Sequence, residues 1–150
     1  MTSFGRYETV RELYHSGFTV LYSGRAKADS DAKFAIKVFQ PPAHLLEAEK
    51  VKTESNLFLN SAHIQQKAAA GGAEHWAPIH ECNSLPDGAF YTTDQYDRSL
   101  QQLIDVRIKL SAQALREIIE SIAKGLVELK QACGRPHGNL KATNILIAGE

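Results

Sequence analysis

Two side chains in the first half of the chain have the type and setting that phosphate chemistry uses. In Phe34-Ala35-Ile36-Lys37-Val38-Phe39, strand alternation puts Ala35 and Lys37 on one face and Phe34, Ile36 and Val38 on the other. A lysine amid apolar strand residues is costly to bury unless it is paired, and the small Ala35 leaves room for a flat ligand over the same face. The plainer alternative is a lysine whose stem lies along the sheet while its amine reaches water. The second side chain is Glu54, which shares one side of a helical segment with Val51, Leu57 and Phe58. A carboxylate in an apolar stripe calls for a cation, and a helix that follows a strand packs on its sheet. Lys37 is therefore the expected partner, and the pair would hold the amine ready for phosphate oxygens. The alternative is a solvated glutamate, since Glu47 and Glu49 sit on the same helix. A third stretch runs Arg135-Pro136-His137-Gly138-Asn139-Leu140-Lys141-Ala142-Thr143-Asn144 and ends in the apolar Ile145-Leu146-Ile147. His75, His80 and Cys82 are spaced too irregularly for zinc, with no fourth ligand near.

The elements that would position these residues read as follows. Tyr7 to Tyr14 and Phe18 to Gly24 form a hairpin broken near Gly17. Asp29-Ser30-Asp31 marks a polar turn, and Phe34 to Phe39 is a strand that ends at Gln40-Pro41-Pro42. A long helix runs from His44-Leu45 to about Ala70, stopped by Gly71-Gly72. Strands follow near Ala77 to Cys82 and Ala89 to Gln95, joined by the turn Leu85-Pro86-Asp87-Gly88. Ser99 caps a short helix through Lys109, and Ser111 caps a stronger one to Cys133, with Gly134 as its stop. Leu115, Ile118, Ile119, Ile122, Leu126 and Leu129 make one helical stripe along that last helix. Trp76 and Pro78 are expected to pack on the sheet. A hairpin-rich sheet with one helix, followed by helices, is an α+β pattern.

Composition narrows the function classes. The chain has 150 residues, with 17 basic and 17 acidic side chains. A zero net charge gives no global attraction to nucleic acid or to an anionic membrane, so neither is an expected partner. No apolar run approaches the ~20 residues a membrane span needs. Two cysteines, Cys82 and Cys133, give no disulfide framework, which fits a reducing, cytoplasmic setting, alone or as the cytoplasmic part of a longer protein.

The third stretch resembles the catalytic loop of protein kinases, H-R-D-L-K-x-x-N followed by an apolar strand. His137, Leu140, Lys141, Asn144 and the Ile-Leu-Ile run match in register. Ala35-Ile36-Lys37 resembles the family's A-x-K strand, and Glu54 falls near its helix glutamate. Phe90 to Tyr96 resembles the fifth strand and hinge. The resemblance implies a protein kinase-like fold: a five-stranded antiparallel N-lobe sheet with a long αC helix and hinge over residues 1–97, then a partial C-lobe over 98–150. That partial lobe would hold helices αD and αE and the catalytic loop, truncated after the loop. It further implies cofactor-binding roles for Ala35, Lys37, Glu54, the gatekeeper Thr93 and the hinge residues Asp94 to Tyr96. Asn139 takes the catalytic aspartate's position, Lys141 that of a lysine contacting the transferred phosphate, and Asn144 that of a weak magnesium ligand acting only with nucleotide.

The departures from the family pattern shape the expected function. Its three loop glycines fall at Tyr14, Ser16 and Thr19, where side chains keep the backbone from approaching phosphates closely. Gly138 replaces the arginine that grips a phosphorylated activation loop. Asn139 cannot serve as the base at neutral pH, and the metal-binding aspartate would fall beyond Ile147. The His-Gly-Asn triplet resembles that of pseudokinases, including the pseudokinase domain of Janus kinases and the kinase-homology domains of receptor guanylyl cyclases. The implied function is a nucleotide-binding or protein-interaction module, with weak ATP binding at most, magnesium only alongside it, and no other cofactor. The alternatives are a fragment of an active serine/threonine kinase, or a relative of small-molecule phosphotransferases, whose His-Gly-Asp loop is similar; Lys141 favours the protein-kinase side. The apolar stripe on the Ser111-to-Cys133 helix, with the covering helices absent, implies a protein partner or homodimer.

Overall fold

The computed structural model describes residues 2–148. In chain order the elements are β1 (Ser3–Phe4), β2 (Tyr7–Ser16), β3 (Thr19–Ala26), β4 (Asp29–Phe39), α1 (Ala48–Ala70), β5 (Ile79–Leu85), β6 (Gly88–Asp94), β7 (Arg98–Ser99), α2 (Leu100–Asp105), α3 (Ala112–Cys133), a 3-10 turn (Ala142–Asn144) and β8 (Leu146–Ile147). The chain divides into two units, one holding residues up to Gln66 with Ala77–Gln95, the other Lys67–Trp76 with residues from Tyr96 on.

The first unit is an antiparallel sheet of order β1-β2-β3-β4-β6-β5 with most of α1 against it. Five strands were expected; the sixth is the two-residue β1, which pairs Ser3 with Glu8 and Phe4 with Tyr7. Such a strand is too short to leave a periodic signal. Gly17, at φ +57°, turns the β2–β3 hairpin, which stays paired to Ser16↔Thr19. The next turn lies at Lys27-Ala28, two residues before the expected Asp29-Ser30-Asp31, which instead opens β4. α1 begins at Ala48 rather than His44, because the chain leaving Pro41-Pro42 first makes a turn in which the Leu45 amide donates to the Pro42 carbonyl.

The core of this unit lies where alternation along β4 put its apolar face. Ile36 and Val38 pack with Phe90 of β6, and Phe4 and Tyr7 close over them. The sheet curls on itself, since Arg6 in the β1–β2 turn reaches Glu81 on β5, at the opposite edge, with Nε 3.3 Å from the carboxylate. Gly5 fits there only as glycine: it holds φ +55°, and a Cβ would collide with the Glu81 carboxylate.

The second unit is built on α3. Its Ser111 hydroxyl accepts from the Ala114 amide, and Gly134 ends the helix in the left-handed conformation at φ 68°, as the sequence indicated. α2 is shorter than expected but has the foreseen Ser99 cap, in a reciprocal capping box with Gln102. β7 and β8 pair as a small ribbon, Arg98 with Ile147 and Ser99 with Leu146. None of the helices among the described residues is long and apolar enough to cross a membrane.

Candidate functional site

Within the first unit, the cross-strand register assembles one flat face. Ala35 lies opposite Thr93, and Lys37 opposite Tyr91. On the other side of β4, Ser23 lies opposite Ala35 and Leu21 opposite Lys37. Thr93 is buried, and its hydroxyl donates to the Asp94 carbonyl at 2.9 Å. Asp94 accepts from His80, 2.7 Å away, and the Gln95 amide oxygen accepts from the Ser23 hydroxyl at 2.6 Å. The segment expected to be a hinge thus leaves the sheet with two of its side chains tied down.

Lys37 and Glu54 do not form the expected ion pair: their charged atoms do not approach within 4.0 Å, while five other pairs do among the described residues. The Lys37 amine lies 5.8 Å from the Tyr91 ring centroid instead. The physical reason is the rotational phase of α1. Leu57, expected in the stripe, is 56% exposed, whereas Ser55 and Ala62 are buried. The helix meets the sheet through small residues and through Phe58, whose ring stacks on Phe39 at 5.9 Å and lies tilted against Tyr91 at 5.2 Å. Glu54 is left half-buried beside that contact. Ser55 carries the one buried side-chain oxygen without a hydrogen-bond partner among the described residues.

Where the phosphate-binding glycines would fall, Tyr14 is paired with Leu21 and Ser16 with Thr19. A hairpin paired to its tip holds an extended ladder geometry rather than gathering successive amides into an anion cradle.

In the second unit, the loop after α3 is fixed by local bonds. The Asn139 amide donates to His137 Nδ1 at 3.0 Å. Gly138 between them has φ 75°, a conformation an arginine would adopt only with strain, which accounts for the glycine. The Asn144 side-chain amide donates to the Asn139 carbonyl at 2.9 Å. The loop's three side-chain oxygens are those of Asn139, Thr143 and Asn144. Asn139, Lys141 and Asn144 are exposed.

Sequence reasoning missed what holds this loop. Trp76 was expected on the sheet. Instead its ring stacks on His137 at 5.6 Å and its indole N–H donates to the Gly125 carbonyl of α3 at 2.9 Å. Next to it, the Glu128 carboxylate accepts from the amides of Glu74 and His75, both at 3.2 Å, and lies 2.9 Å from His75 Nδ1. Partial burial pushes the Glu128 carboxyl up. The His75 hydrogen bond, the two amides and the His75 charge outweigh it and hold the group below its ordinary value. His75 and His80 are thus each engaged by a carboxylate, and no group of three metal-ligating side chains is found among the described residues.

The fold is similar to part of a protein kinase domain. The PknI kinase domain of M. tuberculosis superposes with a TM-score of 0.72 at 18% identity, over 98% of this chain and 56% of that one. The chain thus spans little more than half the length of that kinase domain, and at this identity the likeness carries the fold alone. No family model and no curated protein matches the sequence.

Proposed function

We propose that this chain is a pseudokinase-like regulatory module that interacts with protein, binds nucleotide weakly at most, and does not itself transfer phosphate. Asn139 carries this reading. An amide stands at the position of the family's catalytic aspartate, and residues 135–148 contain no carboxylate to take over the role. Loss of such a group costs about 10²–10⁴ in rate.

Nucleotide would use the face of Ala35, Lys37 and Thr93 together with the hinge segment Asp94 to Tyr96. The grip is loose because Lys37 is not held by Glu54 and the hairpin tip bears Tyr14, Ser16 and Thr19. A magnesium ion usually needs carboxylates or phosphates, so Asn144 Oδ1 would contribute only to one that arrives with the nucleotide. The exposed Leu115 and Ile119 on α3 support a protein partner or second copy on that helix.

Incubation with radiolabelled ATP and generic protein substrates tests the reading, with no transfer expected. Turnover that survives purification and disappears in Lys37→Met overturns it. Titration with ATP should show weak binding that depends little on magnesium, and a magnesium-dependent melting rise implying submicromolar affinity contradicts that.

A further inference from the structure

The face of β4 opposite Lys37 carries an open cleft that the nucleotide reading does not use. It lies between the Gly5-Arg6 turn and the Lys27-Ala28 turn and measures about 450 Å³, within the range of small-molecule sites. Its floor is aromatic: the rings of Tyr7 and Phe34 meet edge to face at 4.9 Å and 65°. Tyr7 is 4% exposed and belongs to the core with Ile36 and Val38, while Phe34 is half-buried against it, so Phe34 offers the accessible ring and Tyr7 fixes it from behind before any ligand arrives.

The charged side chains that line the cleft are basic. Arg6 and Lys27 line the cleft, and the nearby carboxylate of Glu81 abuts Gly5 and is engaged by Arg6 rather than lining the cleft itself. The Arg6 guanidinium lies 5.9 Å from the Tyr7 ring centroid. It meets Glu81 through Nε, which leaves its two terminal nitrogens for another acceptor, and the side chain is 74% exposed. The Lys27 amine donates once, to the Gly5 carbonyl at 3.1 Å, and has two more N–H groups to give. A fixed aromatic floor favours a ring, and two cations with spare donors favour a negative charge at the edge of that ring.

We propose that this cleft binds a small aromatic carboxylate, its ring on Phe34, which Tyr7 backs, and its carboxylate at Arg6 and Lys27. The site is independent of the nucleotide face, since Lys37 points to the other side of the strand.

The full chain is titrated with 4-fluorophenylacetate, followed by fluorine NMR, with uncharged 4-fluorophenylacetamide as the second arm. Saturable binding of the acid is expected, with the amide at least about tenfold weaker because it loses the charge-assisted hydrogen bonds. Lys27→Gln should weaken the acid about tenfold, and Ala28→Trp, which keeps both cations but fills the cleft mouth, should abolish binding. Melting of both exposed-site variants should match the parent. Saturating ATP should leave the acid's affinity unchanged. No binding at millimolar acid, equal affinity for acid and amide, an affinity neither variant alters, or displacement by ATP each overturns the proposal.

Discussion

In the sheet unit Ile36, Val38 and Phe90 are 0%, 2% and 2% exposed, while in the helical unit Ile119, Leu115 and Val127 of α3 are 58%, 48% and 55% exposed. The contrast follows from how many faces each architecture covers with its own residues. The sheet has Phe4 and Tyr7 over one face and Phe58 of α1 on the other. α3 buries one stripe, centred on Gly125 and Leu129, and carries a second apolar stripe through Leu115 and Ile119 that its own unit leaves open. One unit spends its apolar side chains on stability. The other keeps several for contact.

The largest effect should come from breaking the sheet's core. Phe90→Ala removes a ring that sits 5.6 Å from Phe4 in a site with no solvent to refill it. A loss of about 3–5 kcal/mol is expected, a large share of a small domain's stability. Thermal melting would show it as a fall of many degrees, and an unchanged curve would mean the two faces are not covered as described.

In the helical unit the corresponding test is polar. Glu128→Gln presents an NH₂ group where three donors converge, at a cost of about 1 kcal/mol after allowance for partial exposure. The same site gives a pH dependence. A carboxyl whose folded pKa is depressed adds stability above its unfolded value, and that addition is lost as pH falls through the folded value. Stability of the parent should therefore drop as pH falls through and below the ordinary glutamate range near about 4.3. Denaturant titrations at stepped pH should find that drop reduced in Glu128→Gln.

A smaller effect, of opposite sign, belongs to Ser55. Its buried hydroxyl has no partner, whereas those of Thr53 and Ser61 on the same helix bond the carbonyls four residues back. An unmade hydrogen bond in a buried site is a standing cost, so Ser55→Ala should raise stability by up to about 1 kcal/mol. A loss on substitution would indicate a hydrogen bond that forms in solution.

These sites also mark how far the sequence can be read. The ends of α3 were legible because a serine cap, a 3.6-residue stripe and a terminal glycine agree. The face assignment of β4 was legible because alternation leaves one choice. The phase of α1 was not, since its buried positions are Ser55, Ala62 and Ala68, which hydropathy does not distinguish from a solvated face. The Arg6–Glu81 closure and the Trp76–His137 stack were hidden for a different reason: each joins residues more than fifty positions apart, and no local pattern announces such a contact.

The smallest effect on stability should come from Ile119→Glu, and it sharpens the comparison most. Ile119 is 58% exposed, so a charge there meets water rather than packed neighbours, and melting should move by no more than about 0.5 kcal/mol equivalent. If the open stripe of α3 is a contact surface, the same substitution should change association. Light scattering on the parent at tens of micromolar should report a mass above that of one chain, or a complex with an added partner, and Ile119→Glu should return it to the single-chain mass. Exposed apolar residues scattered singly need no such role, but Leu115 and Ile119 lie one turn apart on the same helix face, which makes them a patch. A monodisperse parent that binds nothing, together with an Ile119→Glu variant that is equally soluble, would reduce the stripe to ordinary surface and leave α3 with the buried stripe at Gly125 and Leu129 as its packing face.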